Sequence, residues 1–140
     1  SEPILLALKT ASLAGVDVRI MIPQKADTKL VHYASLSYID ELLEAGVNIY
    51  MYKKGFLHAK LLVSDDVLST VGSTNMDFRS FEHNFEANAF MYDRCVAVTL
   101  KNTFVSEQKN ALSLSVKNWR KRSWYQKSLE SVIRLFAPLL

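Results

Sequence analysis

Twice within its first 52 residues the chain passes from a helix-spaced apolar run, through a glycine, into a short apolar strand. Ile4, Leu5, Leu8, Ala11 and Ser12 recur at helical spacing after a Ser1 to Pro3 cap and first turn, and Gly15 stops them at a C′ position. Residues 16–22 then read as a strand ended by Pro23. The second unit is a helix over residues 30–45, with Tyr33, Leu36, Ile39, Leu42 and Leu43 on one side and Gly46 as its stop, followed by a strand over 47–52. Repeated helix-then-strand order implies parallel strands joined through crossovers. The expected fold is therefore α/β, with a mixed sheet flanked by helices on both faces. Ligands of such sheets bind at the carboxyl ends of the strands. The loop over 24–29 leaves the first strand there, and Lys25, Asp27 and Lys29 are either ligand contacts or a solvated loop. His32, near the start of the second helix, is expected to face solvent or to cap it.

The densest chemistry follows, over residues 55–88, GFLHAKLLVSDDVLSTVGSTNMDFRSFEHNFEAN. His58 and Lys60 lie two apart in an alternating run, so a strand there puts both on one face and Ala59, Leu61 and Val63 on the other. Asp65 and Asp66 mark a turn, and the next apolar run leads to Ser73 and Asn75, again two apart. Two adjacent antiparallel strands would bring the four polar groups together. Residues 84–92 alternate as a further strand, with Glu86 pointing away from the Phe85 side. The set suits attack on a phosphodiester. Imidazole is a nucleophile, acid or base near neutral pH, while Lys60, the Asn75 amide and the Ser73 hydroxyl can hold the charge of a phosphoryl centre. Neither metal nor cofactor is needed. Asp65 is an odd number of steps from Lys60, which gives it a turn role, and Gly72 marks either a close approach of phosphate or a bulge.

Six fixed positions over eighteen residues, His58-x-Lys60-x4-Asp65-x6-Gly72-Ser73-x-Asn75, match without a gap the HKD signature of the phospholipase D superfamily. With GVDVRIMIP, ELLEAGVNIYMY, GSTNMDFRSFEHNFEAN and a terminal PLL, nearly the whole chain resembles the C-terminal catalytic domain of the bacterial cardiolipin synthase family. The resemblance implies that His58, Lys60 and Asp65 are the signature's catalytic residues, and that Lys60, Ser73 and Asn75 bind phosphate. Glu86 would hydrogen-bond the histidine ring, and Gly72 would support the site. Arg79 and Ser80 match the family's RS pair and are expected to support loop structure. His83 reads as a loop histidine outside the signature.

Family enzymes carry two such motifs, and this chain has one. Residues 1–140 therefore read as a single phospholipase D-like domain, the second lobe of a longer two-lobe enzyme or a unit that pairs with its own copy. The opening SEPILLALKTAS, with no basic run before it, reads as the start of a domain rather than as a signal peptide. The implied reaction joins two phosphatidylglycerols into cardiolipin and glycerol through a phosphohistidine. Rival readings are a homodimeric phosphodiesterase or nuclease and an inactive lipid-binding lobe. The net charge of +3, from 17 basic and 14 acidic residues, argues against a nucleic-acid partner. The implied location is the cell membrane, with the catalytic lobe on the cytoplasmic side and this segment soluble or peripheral.

Beyond Asp93 the pattern is helical, with Val96, Leu100, Phe104, Leu112 and Leu114 available to cover the sheet. Cys95 has no partner for an internal disulfide and reads as a small buried hydrophobe. Lys117, Arg120, Lys121, Arg122 and Lys127 are interleaved with Trp119, Trp124 and Tyr125, and a Ser123-x-x-Gln126 capping box opens a helix carrying Leu129, Val132, Ile133 and Phe136. Basic residues beside tryptophans suit an anionic membrane surface. The same pattern suits a terminal helix packed on its own domain.

Overall fold

The computed structural model describes residues 2–25 and 28–135, without the side chains of Lys29 and Lys127. Ser1, Asp27, Phe136 and the terminal PLL lie outside the described residues. The elements run α1 (Glu2–Leu13), β1 (Arg19–Pro23), α2 (Lys29–Leu36), α3 (Ile39–Glu44), β2 (Asn48–Tyr52), β3 (Leu61–Ser64), β4 (Leu68–Gly72), α4 (Phe78–Glu82), β5 (Asn88–Tyr92), α5 (Arg94–Glu107), β6 (Ala111–Ser113), α6 (Val116–Arg120) and α7 (Trp124–Arg134). Gly15 and Gly46 take φ of 93° and 88°, the left-handed conformation a helix stop needs. The two units they punctuate supply the parallel pair β1–β2, Ile20 beside Ile49.

The α/β class holds, and its strands divide between two three-stranded sheets, β1-β2-β6 and β3-β4-β5. The first sheet carries the core. Val47, Ile49 and Met51 of its middle strand region pack with Leu36, Ile39, Leu42, Leu43 and Trp119, and Leu5, Leu8 and Leu114 close the margins. The second is an antiparallel meander. Its register puts Leu62, Thr70 and Phe90 in one row and Ser64, Leu68 and Tyr92 in the next on the same face, while Val63, Ser69 and Met91 share the other. Ser69 is fully buried, and α5 packs on this sheet. Leu62, Phe90 and Tyr92 are exposed.

Several boundaries differ from the sequence reading. The helix expected over 30–45 is broken into α2 and α3 at Ser37 and Tyr38. The Ser35 and Ser37 hydroxyls donate to the carbonyls of Val31 (2.9 Å) and Ala34 (2.6 Å), the local competition that weakens helix interiors. Leu112 and Leu114 are not helical. A short 3₁₀ turn, Gln108–Asn110, ends α5, and β6 then pairs antiparallel with β2, Met51 opposite Leu112. Cys95 is exposed rather than buried, because Ala97 of α5 takes the fully buried position. His32 is half-buried beside Tyr33, and burial lowers its pKa, so it does not stand free in solvent. One half of the box at Ser123 forms, its hydroxyl accepting from the Gln126 backbone N–H at 3.3 Å.

Candidate functional site

The hairpin β3–β4 sets the geometry. Asp65 and Asp66 both adopt left-handed backbone, φ 51° and 58°, and Val67 N–H donates to Ser64 O at 3.1 Å. Ser64 pairs with Leu68, so Asp65, Asp66 and Val67 form the connection. Its two consecutive left-handed residues turn the chain with the twist that paired strands need, and aspartate is among the few L residues that enter that conformation readily. Asp65 accepts from the Ser64 hydroxyl at 3.0 Å, and Asp66 pairs with Lys101 of α5 at 2.5 Å. Five extended residues, at about 3.3 Å each, separate Asp65 from Lys60 by about 16 Å. Asp65, which the signature groups with the catalytic residues, lies in the turn, as its odd step count from Lys60 predicted.

His58 and Lys60 precede β3 rather than lying in it. The ladder continues one step, with Gly72 N–H donating to Lys60 O at 3.2 Å, so Lys60 stands opposite Gly72. Before that the backbone is irregular. The Lys60 ammonium turns back onto the His58 carbonyl at 3.0 Å, and the exposed His58 ring stacks on Phe56 with centroids 5.4 Å apart and planes 21° from parallel. Phe56 was not singled out in the sequence, although it lies two residues before His58 as Lys60 lies two after.

Glu86 is the centre of the hydrogen bonding. β5 begins at Asn88, not at residue 84, which leaves Glu86 in the connection from α4. It accepts from the Ser73 hydroxyl and from the Asn84 side-chain amide, the latter at 3.3 Å. Ser73 also exchanges bonds with Ala87: its N–H donates to Ala87 O at 3.0 Å, and its Oγ accepts from Ala87 N–H at 3.0 Å. The Ser73 hydrogen bond is the largest influence holding the Glu86 carboxyl below its ordinary pKa; slight desolvation opposes it, while Ser80, Asn84 and the Lys60 charge add to it. The buried Ser80 Oγ has no hydrogen bond of ordinary geometry, so its pull is through proximity. Among the described residues no hydrogen bond joins Glu86 to His58. The expected carboxylate–imidazole contact is replaced by a carboxylate–serine one.

The strand registers explain which groups meet. Asn88 pairs with Gly72 and Gly72 with Lys60, so Lys60 and, two residues beyond Asn88, Glu86 belong to one face. That face also carries Leu62, Phe90 and Tyr92, so the open apolar face runs into the polar cluster. Ser73 and Asn75 have the opposite phase but lie past the end of β4, where Ser73 reaches Glu86. Asn75 is exposed in the loop before α4. Its amide offers two donors, whereas the single Ser73 proton is already given to Glu86. Gly72 is explained by protein rather than by a ligand: a Cβ there would collide with Ala87 O and the Asn88 side chain.

The supporting segment is ordered by α4. Asp77 caps it, accepting from Ser80 N–H at 2.7 Å, and Arg79 O receives the amides of His83 and Asn84 at 2.9 and 2.8 Å. His83 closes the helix with its ring edge-on to Phe78. The backbone groups of Arg79 and Ser80 thus close the short helix that leads to Glu86. Lys25 is exposed at the end of β1. Among the described residues no helix is long and apolar enough to cross a membrane.

Residues 1–109 match the family described as cardiolipin synthase, phospholipase D-like domain. The chain is 47% identical over 139 residues to a cardiolipin synthase of Halalkalibacterium halodurans, covering 99% of this chain and 28% of that protein. It is 47% identical to cardiolipin synthase 2 of Bacillus anthracis and 44% identical to a cardiolipin synthase of Clostridium perfringens, again over 99% of this chain and over 27% and 29% of theirs. The chain thus spans little more than a quarter of the length of these relatives. Among solved structures, a phospholipase D family member, Nuc from Salmonella typhimurium, is similar in fold, with TM-score 0.69, 22% identity, and coverage of 80% of this chain and 73% of that one.

Proposed function

The chain belongs to the cardiolipin synthase family of phospholipase D-like domains, and from that premise we propose that residues 1–140 are one catalytic lobe of a longer phosphatidyltransferase. The observation that carries the proposal is the uninterrupted signature from His58 to Asn75 within a chain 47% identical to a named cardiolipin synthase. The substrate is phosphatidylglycerol, presented at an anionic membrane surface on the cytoplasmic side. A histidine nitrogen attacks phosphorus as the bond to the departing glycerol oxygen breaks, and the partner histidine protonates that oxygen. The hydroxyl of a second phosphatidylglycerol, losing its proton to the same partner, then displaces the histidine and forms cardiolipin. His58 is the acid and then the base, and the missing lobe supplies the nucleophile.

Lys60 and the Asn75 amide hold the charged phosphoryl oxygens. Ser73 joins them by exchanging Glu86 for substrate, and Glu86 orients the site through the 73–87 connection. The open face bearing Leu62, Phe90 and Tyr92 supports a second lobe, since it leads directly to Lys60 and leaves large apolar side chains in water.

The test is His58→Asn in the longer enzyme with headgroup-labelled phosphatidylglycerol. Glycerol release is expected to fall by about 10²–10⁴, the usual worth of a positioned acid or base. Unchanged turnover would remove the catalytic reading. With acyl-labelled phosphatidylglycerol and the parent enzyme, a labelled phosphatidyl group trapped on His58 would exchange the two histidines' roles.

A further inference from the structure

Helix α7 has two apolar sides, of which the domain uses one. Ile133 and Glu130 are buried, Leu129 and Arg134 are half-buried, and the helix packs against α2. With 3.6 residues per turn, Trp124, Leu135, Ser128, Val132 and Tyr125 fall within about 100° of arc on the opposite side. There Trp124 and Leu135 are each 78% exposed, Tyr125 66% and Val132 54%. This segment lies beyond the residues matched by the family domain.

The charges sort themselves in the same way. The arginines of the segment serve the fold: Arg120 pairs with Glu44, Arg122 pairs with Glu130 at 2.5 Å and stacks on Trp119, and Arg134 pairs with Glu41 at 2.5 Å and covers the Tyr38 ring. The nearby carboxylates are thereby neutralised. Lys117 and Lys121 are exposed and have no ion-pair partner among the described residues, and Lys127 adds a third positive charge to the segment. A stripe of tryptophan, tyrosine and aliphatic side chains, in a segment where Lys117 and Lys121 are exposed without an ion-pair partner among the described residues, matches the boundary of an anionic bilayer, where amphipathic rings settle at headgroup depth and lysines meet lipid phosphates.

We infer that the outward side of α7, with Lys117 and Lys121 of the adjoining α6 corner, is the surface by which this lobe docks on an anionic phospholipid bilayer. The inference rests on the proposed phospholipid reaction only for its choice of partner. Docking by this side leaves the buried side, and hence the fold, unchanged.

The test mixes the 140-residue chain with vesicles of phosphatidylglycerol and phosphatidylcholine, and with vesicles of phosphatidylcholine alone, following co-sedimentation and tryptophan emission. Trp119 is buried, so Trp124 reports the change. Binding to the anionic vesicles with a blue shift is expected. Lys117→Gln with Lys121→Gln should weaken it about 25-fold, at about fivefold per lysine near an anionic leaflet, and Trp124→Ala with Tyr125→Ala should abolish the blue shift. Absence of binding, or both double variants binding as the parent does, overturns the inference. So does stronger protection of α7 from hydrogen exchange in the longer enzyme without lipid than in the 140-residue chain, which would mean that protein covers this side. Failure of the reaction reading is separate: His58→Asn would then leave turnover intact, whatever the vesicles show.

Discussion

Around the sheet of β1, β2 and β6, Val47 and Ile49 are almost sealed from water, whereas on the sheet of β3, β4 and β5 Phe90 and Tyr92 stand 65% and 78% exposed. The first region is held by apolar burial on several sides. The second, which carries the signature, is packed on one face by α5 and is otherwise organised by hydrogen bonds among Ser73, Glu86, Asn84 and Ala87. The contrast teaches that one chain can divide its work. One sheet supplies stability without touching the chemistry, and the other keeps a face free at the cost of its own core.

The largest test of that division is a pair of truncations. Ile49→Ala should cost about 3 kcal/mol by urea unfolding, in the range for deleting buried aliphatic groups, while Phe90→Ala should change stability by less than about 1 kcal/mol. Equal costs would break the comparison. In the longer enzyme Phe90→Ala should become the more damaging of the pair's two settings, because the missing lobe would cover it. Next, Gly72→Ala should cost about 2 kcal/mol through overpacking against Ala87 and Asn88. A neutral result by thermal melting would mean that β5 does not crowd β4 there. A smaller effect belongs to the turn tether: Lys101→Met should cost about 0.5 kcal/mol, as for partly exposed ion pairs, and a double-mutant cycle with Asp66→Asn measures it.

The smallest effect is a titration. Because Glu86 is held below the ordinary glutamate pKa of about 4.3, chiefly by Ser73, its linkage of the loop is complete above that value. It is lost as pH falls through the lower folded value. Following the Glu86 carboxyl carbon by NMR should give a midpoint below about 4.3, moving upward in Ser73→Ala. A parent midpoint at or above that value would dissolve the carboxylate–serine contact.

Much of this was legible in the sequence where one signal acted alone. Gly15 and Gly46 predicted the helix stops and through them the parallel β1–β2 pair, and the Asp65–Asp66 turn predicted the antiparallel hairpin. The misses arise where two tendencies compete. Ser35 and Ser37 offered local hydrogen bonds that broke a helix whose apolar stripe ran on uninterrupted. The residues around Leu112 and Leu114 fit helical spacing loosely, but alternation with Ser113 and Ser115 was the better guide, since β2 had an unpaired edge to fill. At the site, alternation through 58, 60, 73 and 75 suggested a shared face, yet the pairing of Lys60 with Gly72 puts Ser73 out of phase with Lys60. Register depends on the partner strand and cannot be counted along one strand alone.

The two left-handed aspartates have a consequence at the opposite end of their hairpin. A turn that admits only two such residues works as an indexing stop: it fixes which rung of β4 each rung of β3 must meet. A slip of one rung would swing Lys60 to the far side of the ribbon, away from Glu86, although neither residue had been altered. A β-branched replacement at Asp65 or Asp66 would therefore disarm the site from a distance, and glycine or asparagine would leave the stop in place.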